Sequence, residues 1–130
     1  MFQTLSISPV LRWVITLTFV VIVVVLSVTP GKSQTGDSIF VWLVANTPTP
    51  VQKLMHVVIY AALVGLWAWT LEAIESRFIR FLLAFLIAIS LGSALEWYQT
   101  RVPGRFGTLV DALLNALGAI AGLLAALVIL

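Results

Sequence analysis

Lys53, His56 and Tyr60 stand at i, i+3 and i+7, so a helix through them carries an ammonium, an imidazole and a phenol on one stripe. Further along, Glu96 and Gln99 are spaced i, i+3. Asp111, Asn115, Gly118 and Gly122 follow at i, i+4, i+7 and i+11. Between these two groups lies a basic break, Arg101-Val102-Pro103-Gly104-Arg105. Imidazole with carboxylate is the chemistry of a general base and its orienting acid. Arginine with lysine is the chemistry of phosphate or carboxylate binding, with Arg105 able to form a bidentate contact. One histidine and two acids, without HExxH-type spacing, make a thin metal set, so no metal is expected. Nothing in the sequence asks for a cofactor.

The elements that must carry these residues are set by composition. The chain has 130 residues, of which 62% are hydrophobic and 9% charged. A soluble domain of this size needs more polar surface, so the excess apolar side chains must face lipid. There is no cysteine, which excludes disulfides and thiolate metal sites. A formal charge of +2, scattered along the chain, gives no basis for nucleic acid as a partner. A spanning helix needs roughly 20 predominantly apolar residues, and four segments qualify: 11–28, 51–71, 78–100 and 108 to the C-terminus. The expected fold class is all-α, a polytopic membrane protein with a bundle of about four transmembrane helices. The alternative for the first segment is a cleaved signal peptide flanked by Arg12. Its apolar run exceeds the usual length of about 7–15 residues, and the Ser27-Val28-Thr29-Pro30 stretch makes a poor cleavage site.

Residues 1–50 divide from 51–130 as a first span plus a polar, interfacial loop. Pro30-Gly31 and Thr47-Pro48-Thr49-Pro50 mark that loop as turn-rich and stiff. The patch Ile39–Ala45 inside it is too short to span and suits an interfacial or re-entrant segment, with Trp42 near headgroup depth. Trp67 and Trp69 read as an aromatic belt. Glu72, Glu75, Arg77 and Arg80 read as a solvated turn, in which an ion pair is worth little. Thr108 with Asp111 reads as a capping box for the last span.

Short connections make spans two, three and four antiparallel neighbours. Lys53, His56 and Tyr60 then begin span two, Glu96 and Gln99 end span three, and Asp111 and Asn115 begin span four, all on one membrane side. In hydrocarbon an ionisable side chain costs at least ~2.5–3.5 kcal/mol, so the stripes are expected to face one another. Other roles stay open residue by residue. Asp111 suits a helix cap, Lys53 and Arg101 suit snorkelling anchors, and Arg105 suits a topology charge. Asn115 suits interhelical glue, and His56 with Glu96 suits a structural pair. Gly118-x-x-x-Gly122 reads as a close helix-packing surface. Span one stands outside the cluster, as anchor and insertion signal.

The ordered set Lys53-x-x-His56-x-x-x-Tyr60, Glu96-x-x-Gln99, Pro103-Gly104-Arg105 and Asp111-x-x-x-Asn115-x-x-Gly118 resembles the VanZ-like family of small bacterial membrane proteins. The resemblance covers residue 52 to the C-terminus. It implies a site made of Lys53, His56, Tyr60, Glu96, Gln99, Arg105, Asp111 and Asn115, and a setting in the bacterial cytoplasmic membrane. It also implies an association with resistance to the glycopeptide teicoplanin, without a settled molecular activity. The chain departs from the pattern at Gln52, where family members often carry an aspartate.

Arg12 beside the first span suggests cytoplasmic termini and an outward-facing cluster. Lys32, Lys53, Arg101 and Arg105 on the cluster side, against Arg12, Arg77 and Arg80 opposite, lean the other way under the positive-inside rule. Three functions remain open at this level. The first is binding of an anionic or amphipathic envelope molecule, such as an anionic lipid or cell-wall precursor. The others are an enzyme at the membrane surface using His56 and Glu96, and a structural or assembly partner of an envelope complex.

Overall fold

A computed structural model of the chain describes residues 7–29, 39–101 and 109–130. It is all-α: α1 (Pro9–Val28), α2 (Ile39–Asn46), α3 (Thr49–Thr70), α4 (Arg77–Gln99) and α5 (Leu109–Ile129). Four of these, α1, α3, α4 and α5, are long and apolar enough to cross a membrane. α2, with eight residues, is not, and its Trp42 is exposed. Helix starts follow local chemistry. Ser8 caps α1 by accepting from the Leu11 N–H at 3.2 Å, with Pro9 next at a position where its missing N–H costs nothing. Ser76 caps α4 by accepting from the Ile79 N–H at 3.3 Å. Thr108 and Arg105 lie outside the described residues.

α3 is the central element. It packs against α1, α4 and α5, while α4 joins α1 and α5. The interior is built largely of small residues, with Ala68, Ala84, Ala88 and Ala119 buried beside Leu63 and Val64. In a bilayer, lipid tails are as apolar as leucine. Helix association therefore relies on close packing and interhelical hydrogen bonds, which small residues permit. Gly118 and Gly122 of α5 lie directly against the backbone of α3. A Cβ on Gly118 would sit 2.8 Å from Val57 Cα, and one on Gly122 would sit 2.7 Å from Ala61 Cα.

The two ends of the bundle carry different polar groups. At one end, Arg12 is buried and forms an ion pair with Glu72 at 2.5 Å. It also donates to the Trp69 carbonyl at 3.1 Å and lies 4.9 Å over the Trp69 ring. Thr16 and Thr70 share a buried hydroxyl hydrogen bond of 2.6 Å beside it. Trp13 meets Trp67 edge-on at 5.7 Å. On the α4–α5 side of this end, Arg77 donates to the Leu127 carbonyl, one of the terminal carbonyls that α5 leaves without an intrahelical donor.

Arg12 lies at an interhelical contact, because its spacing to Glu72 becomes short only once α1 lies on α3. The α3–α4 turn is solvent-exposed at Glu72, Glu75 and Arg77, and its Glu72 also reaches back to α1. Trp67 and Trp69 are engaged by Trp13 and Arg12 in the α1–α3 contact.

Candidate functional site

At the other end of the bundle a cavity of about 240 Å³ opens between the spans. α3 supplies Gln52, Met55, His56, Ile59 and Tyr60; α4 supplies Leu95, Glu96 and Gln99; α5 supplies Asn115. α1 supplies Val23, Leu26 and Ser27, and Thr47 closes one side from the α2–α3 connection. From Gln52 to Ile59 it enters about 10 Å along α3, at about 1.5 Å per residue. It therefore occupies much of one leaflet of a hydrocarbon core about 30 Å thick.

Of the residues singled out in the sequence, His56, Tyr60, Glu96, Gln99 and Asn115 line this one cavity. Glu96, Gln99 and Asn115 are 7%, 6% and 4% exposed. His56 Nδ1 meets Asn115 Oδ1 at 2.6 Å. An amide oxygen only accepts, so Nδ1 carries the proton, and a neutral ring then keeps Nε2 as its acceptor. Gln99 Nε2 donates to the Ser27 carbonyl at 3.1 Å.

Lys53 and Asp111 are not part of the lining. Lys53 is exposed, and Asp111 is half-buried one turn before Asn115 on α5. Arg101 lies over the Trp97 ring at 4.2 Å, a cation–π contact. Among the described residues, the cavity wall holds no lysine or arginine. Nor, among the described residues, does a group of three or more histidines, cysteines and acids gather that could hold a metal. Gln52 uses its side-chain amide to donate to the Thr47 carbonyl at 2.9 Å. An aspartate at this position could not make that bond, because an ionised carboxylate only accepts.

Sequence reasoning left out the α1 wall, and span one is not a bystander. Val23, Leu26 and Ser27 carry no chemistry-bearing pattern beyond the lone hydroxyl, and only packing brings them to His56. It also passed over Gly92, although this lies four residues before Glu96 and thus on the same helix face. A Cβ on Gly92 would come 2.7 Å from Tyr60 Cε1 and 3.3 Å from Asn115 Nδ2, so this glycine seats both side chains. Gly92→Ala is expected to displace the Tyr60 ring and lower stability by about 1–2 kcal/mol, the overpacking cost outweighing the gain in helix propensity. A thermal melt checks this, and an unchanged or raised Tm refutes the seating role.

The lining combines an acid, an oriented imidazole, a phenol and three amides with the apolar side chains Val23, Leu26, Met55, Ile59 and Leu95. Such a site can hold a small polar group by several hydrogen bonds while an attached apolar chain lies against the apolar residues. Comparisons with known protein families, with curated proteins and with solved structures find no match for this chain.

Proposed function

We propose that this chain is a VanZ-like protein of the bacterial cytoplasmic membrane that binds an amphipathic cell-envelope molecule, a lipid or glycopeptide-like compound, in the cavity beside His56 and Glu96. The observation that carries this reading is the mixture of hydrogen-bonding and apolar side chains in one cavity lining. A purely apolar ligand would lie against the polar residues of that lining, and a purely polar one against its apolar residues. An anionic headgroup would be met by exposed Lys53 outside the cavity and not within it. The termini are cytoplasmic in this reading and the cavity faces outward, where envelope precursors and glycopeptides are met. A role in teicoplanin-type resistance or envelope homeostasis follows from the same placement.

The test is binding in nanodiscs, with teicoplanin and defined phospholipids as probes, for wild type, Glu96→Gln and His56→Ala. Loss of a buried hydrogen-bonding partner is worth about 1.4 kcal/mol, so affinity is expected to fall about tenfold in each variant. Equal affinities for every probe would remove the proposal. Side-specific labelling of Gly104→Cys, in a chain with no cysteine of its own, reports which compartment the site faces.

A second reading, an enzyme at the membrane surface, is favoured by the oriented His56–Asn115 pair. With Nδ1 tied down, Nε2 is the nitrogen positioned to take a proton. His56→Ala would then abolish turnover in an activity screen against envelope lipids while leaving binding measurable. An inert wild type would dismiss the enzyme.

A further inference from the structure

The end of the bundle away from the cavity carries two arginines that no acid balances. Arg77 and Arg80 stand at i, i+3 in the first turn of α4, on one helix face. Both guanidinium groups lie against the Phe81 ring, 5.2 and 5.0 Å from its centroid, so one ring gathers both charges. Arg77 is exposed and donates to the Leu127 carbonyl. Arg80 is half-buried. Its Nε is buried without an acceptor, while its Nη groups keep exposed surface. Glu72 is taken by Arg12. Glu75, exposed in the turn before α4, forms no ion pair with either arginine, and the first turn of α4 holds no acid.

Left to itself this arrangement is unfavourable. Like charges at i, i+3 repel, and a helix start carries the positive pole of the backbone, which disfavours cations. A half-buried guanidinium has also lost part of its hydration, a loss that a paired anion offsets. A phosphodiester is such an anion: its oxygens only accept, and they fit the guanidinium fork bidentately. The depth agrees. Arg77 opens the span and Arg80 lies about 4.5 Å further in, at the border of the hydrocarbon core where headgroups lie. Phe78 and Ile79, between the two arginines in sequence, are exposed and offer apolar surface to acyl chains, which a free phosphate would leave unused. We propose that Arg77 and Arg80 bind the phosphate of an anionic phospholipid, one lipid per chain, in the leaflet opposite the cavity. An anionic headgroup is favoured over a zwitterionic one, whose ammonium would add to two positive charges. This site goes beyond the cavity reading and stands without it.

Native mass spectrometry in detergent tests the site, with dioleoyl phosphatidylglycerol, dioleoyl phosphatidylcholine and inorganic phosphate as probes. The wild type is expected to hold one phosphatidylglycerol at least about tenfold more tightly than phosphatidylcholine. Arg77→Gln combined with Arg80→Gln is expected to abolish that preference. Arg80→Lys, which keeps the charge and loses the planar fork, is expected to reduce it. Arg101→Gln, at the cavity end, is expected to keep it. Equal affinities for the two lipids, or an unchanged preference in the double variant, overturn the site. Loss of the preference in Arg101→Gln as well overturns it too, since any basic residue would then serve. Displacement of the lipid by an equal concentration of inorganic phosphate overturns the assignment to a lipid. Arg77→Gln alone, changed at an exposed position, keeps the test open if the double variant does not fold, and an unchanged preference there counts against the site in the same way. Melts followed by tryptophan fluorescence give a second reading. Phosphatidylglycerol is expected to raise the Tm of the wild type above its value in phosphatidylcholine, and equal Tm values in the two lipids overturn the proposal.

Discussion

Gly118→Ala and Gly122→Ala are each expected to lower the stability of the bundle by about 1–3 kcal/mol, and the double variant is expected not to fold to a monodisperse protein. The reason is what each new methyl group would strike. At Gly118 it would lie 2.8 Å from Val57 Cα and 2.9 Å from the Val57 carbonyl carbon; at Gly122 it would lie 2.7 Å from Ala61 Cα. These are backbone atoms of a helix, with no rotamer to change, so α5 as a whole must back away from α3. Separation of the two backbones loses packing along the α3–α5 contact, and lipid supplies no hydrophobic force to restore it. It also pulls Asn115, one turn before Ala119 on the same helix, away from His56. Gly65→Ala is the control. A Cβ there meets nothing within 4 Å, so the substitution is expected to be neutral or to stabilise by up to ~1 kcal/mol through helix propensity. Thermal melts followed by circular dichroism, with size-exclusion profiles in detergent, check all four proteins. A Gly118→Ala protein as stable as Gly65→Ala would refute the close crossing.

The second large effect is expected at Arg12. Arg12→Ala removes the ion pair to Glu72, the bond to the Trp69 carbonyl and the stacking on the Trp69 ring. Together these are expected to cost about 2–3 kcal/mol and to loosen α1. Glu72→Gln is expected to cost less than about 1 kcal/mol. The Glu72 side chain is 40% exposed, and a glutamine oxygen still accepts from the guanidinium. The asymmetry is the informative quantity. Denaturant titration followed by tryptophan fluorescence, which reports the Trp13–Trp67 contact, should separate the two variants. Equal losses would mean that Arg12 acts through charge alone and not as a clamp holding α1 to the α3 end.

The four spans were legible because their signal is one-dimensional. Twenty or so apolar residues in a row admit few other structures, and the proline and glycine breaks near Pro30, Pro50 and Pro103 divide them. Helix ends shifted by one or two residues, at Thr49 in place of Val51 and Arg77 in place of Phe78, where capping by Ser76 decides and apolarity does not. The convergence of His56, Tyr60, Glu96, Gln99 and Asn115 was also legible. Antiparallel alternation places helix ends on known sides, and polar groups inside a bilayer have strong reason to face one another.

Packing across the bundle was not legible in the same way. That α1 forms a cavity wall, that Arg12 meets Glu72 sixty residues away, and that Gly92 seats Tyr60 all depend on how helices rotate about their axes. α1 marks its inner face with Arg12 and Thr16, spaced i and i+4, but no spacing within one helix says which partner that face meets. Lys53 shows the reverse error. It shares a stripe with His56, yet it lies exposed outside the cavity lining, because a long charged side chain at a helix start can reach water by itself.

The polar stripes on spans two to four, their common side of the membrane and the all-α class thus followed from the amino-acid sequence by itself, since period and hydrophobic length are properties of a single helix. Only the tertiary structure decided which stripe residues share a cavity, that α1 closes it, and that a buried clamp holds α1 at the far end. Those are relations between helices, set by side-chain contacts too short in range for any spacing along the chain to specify.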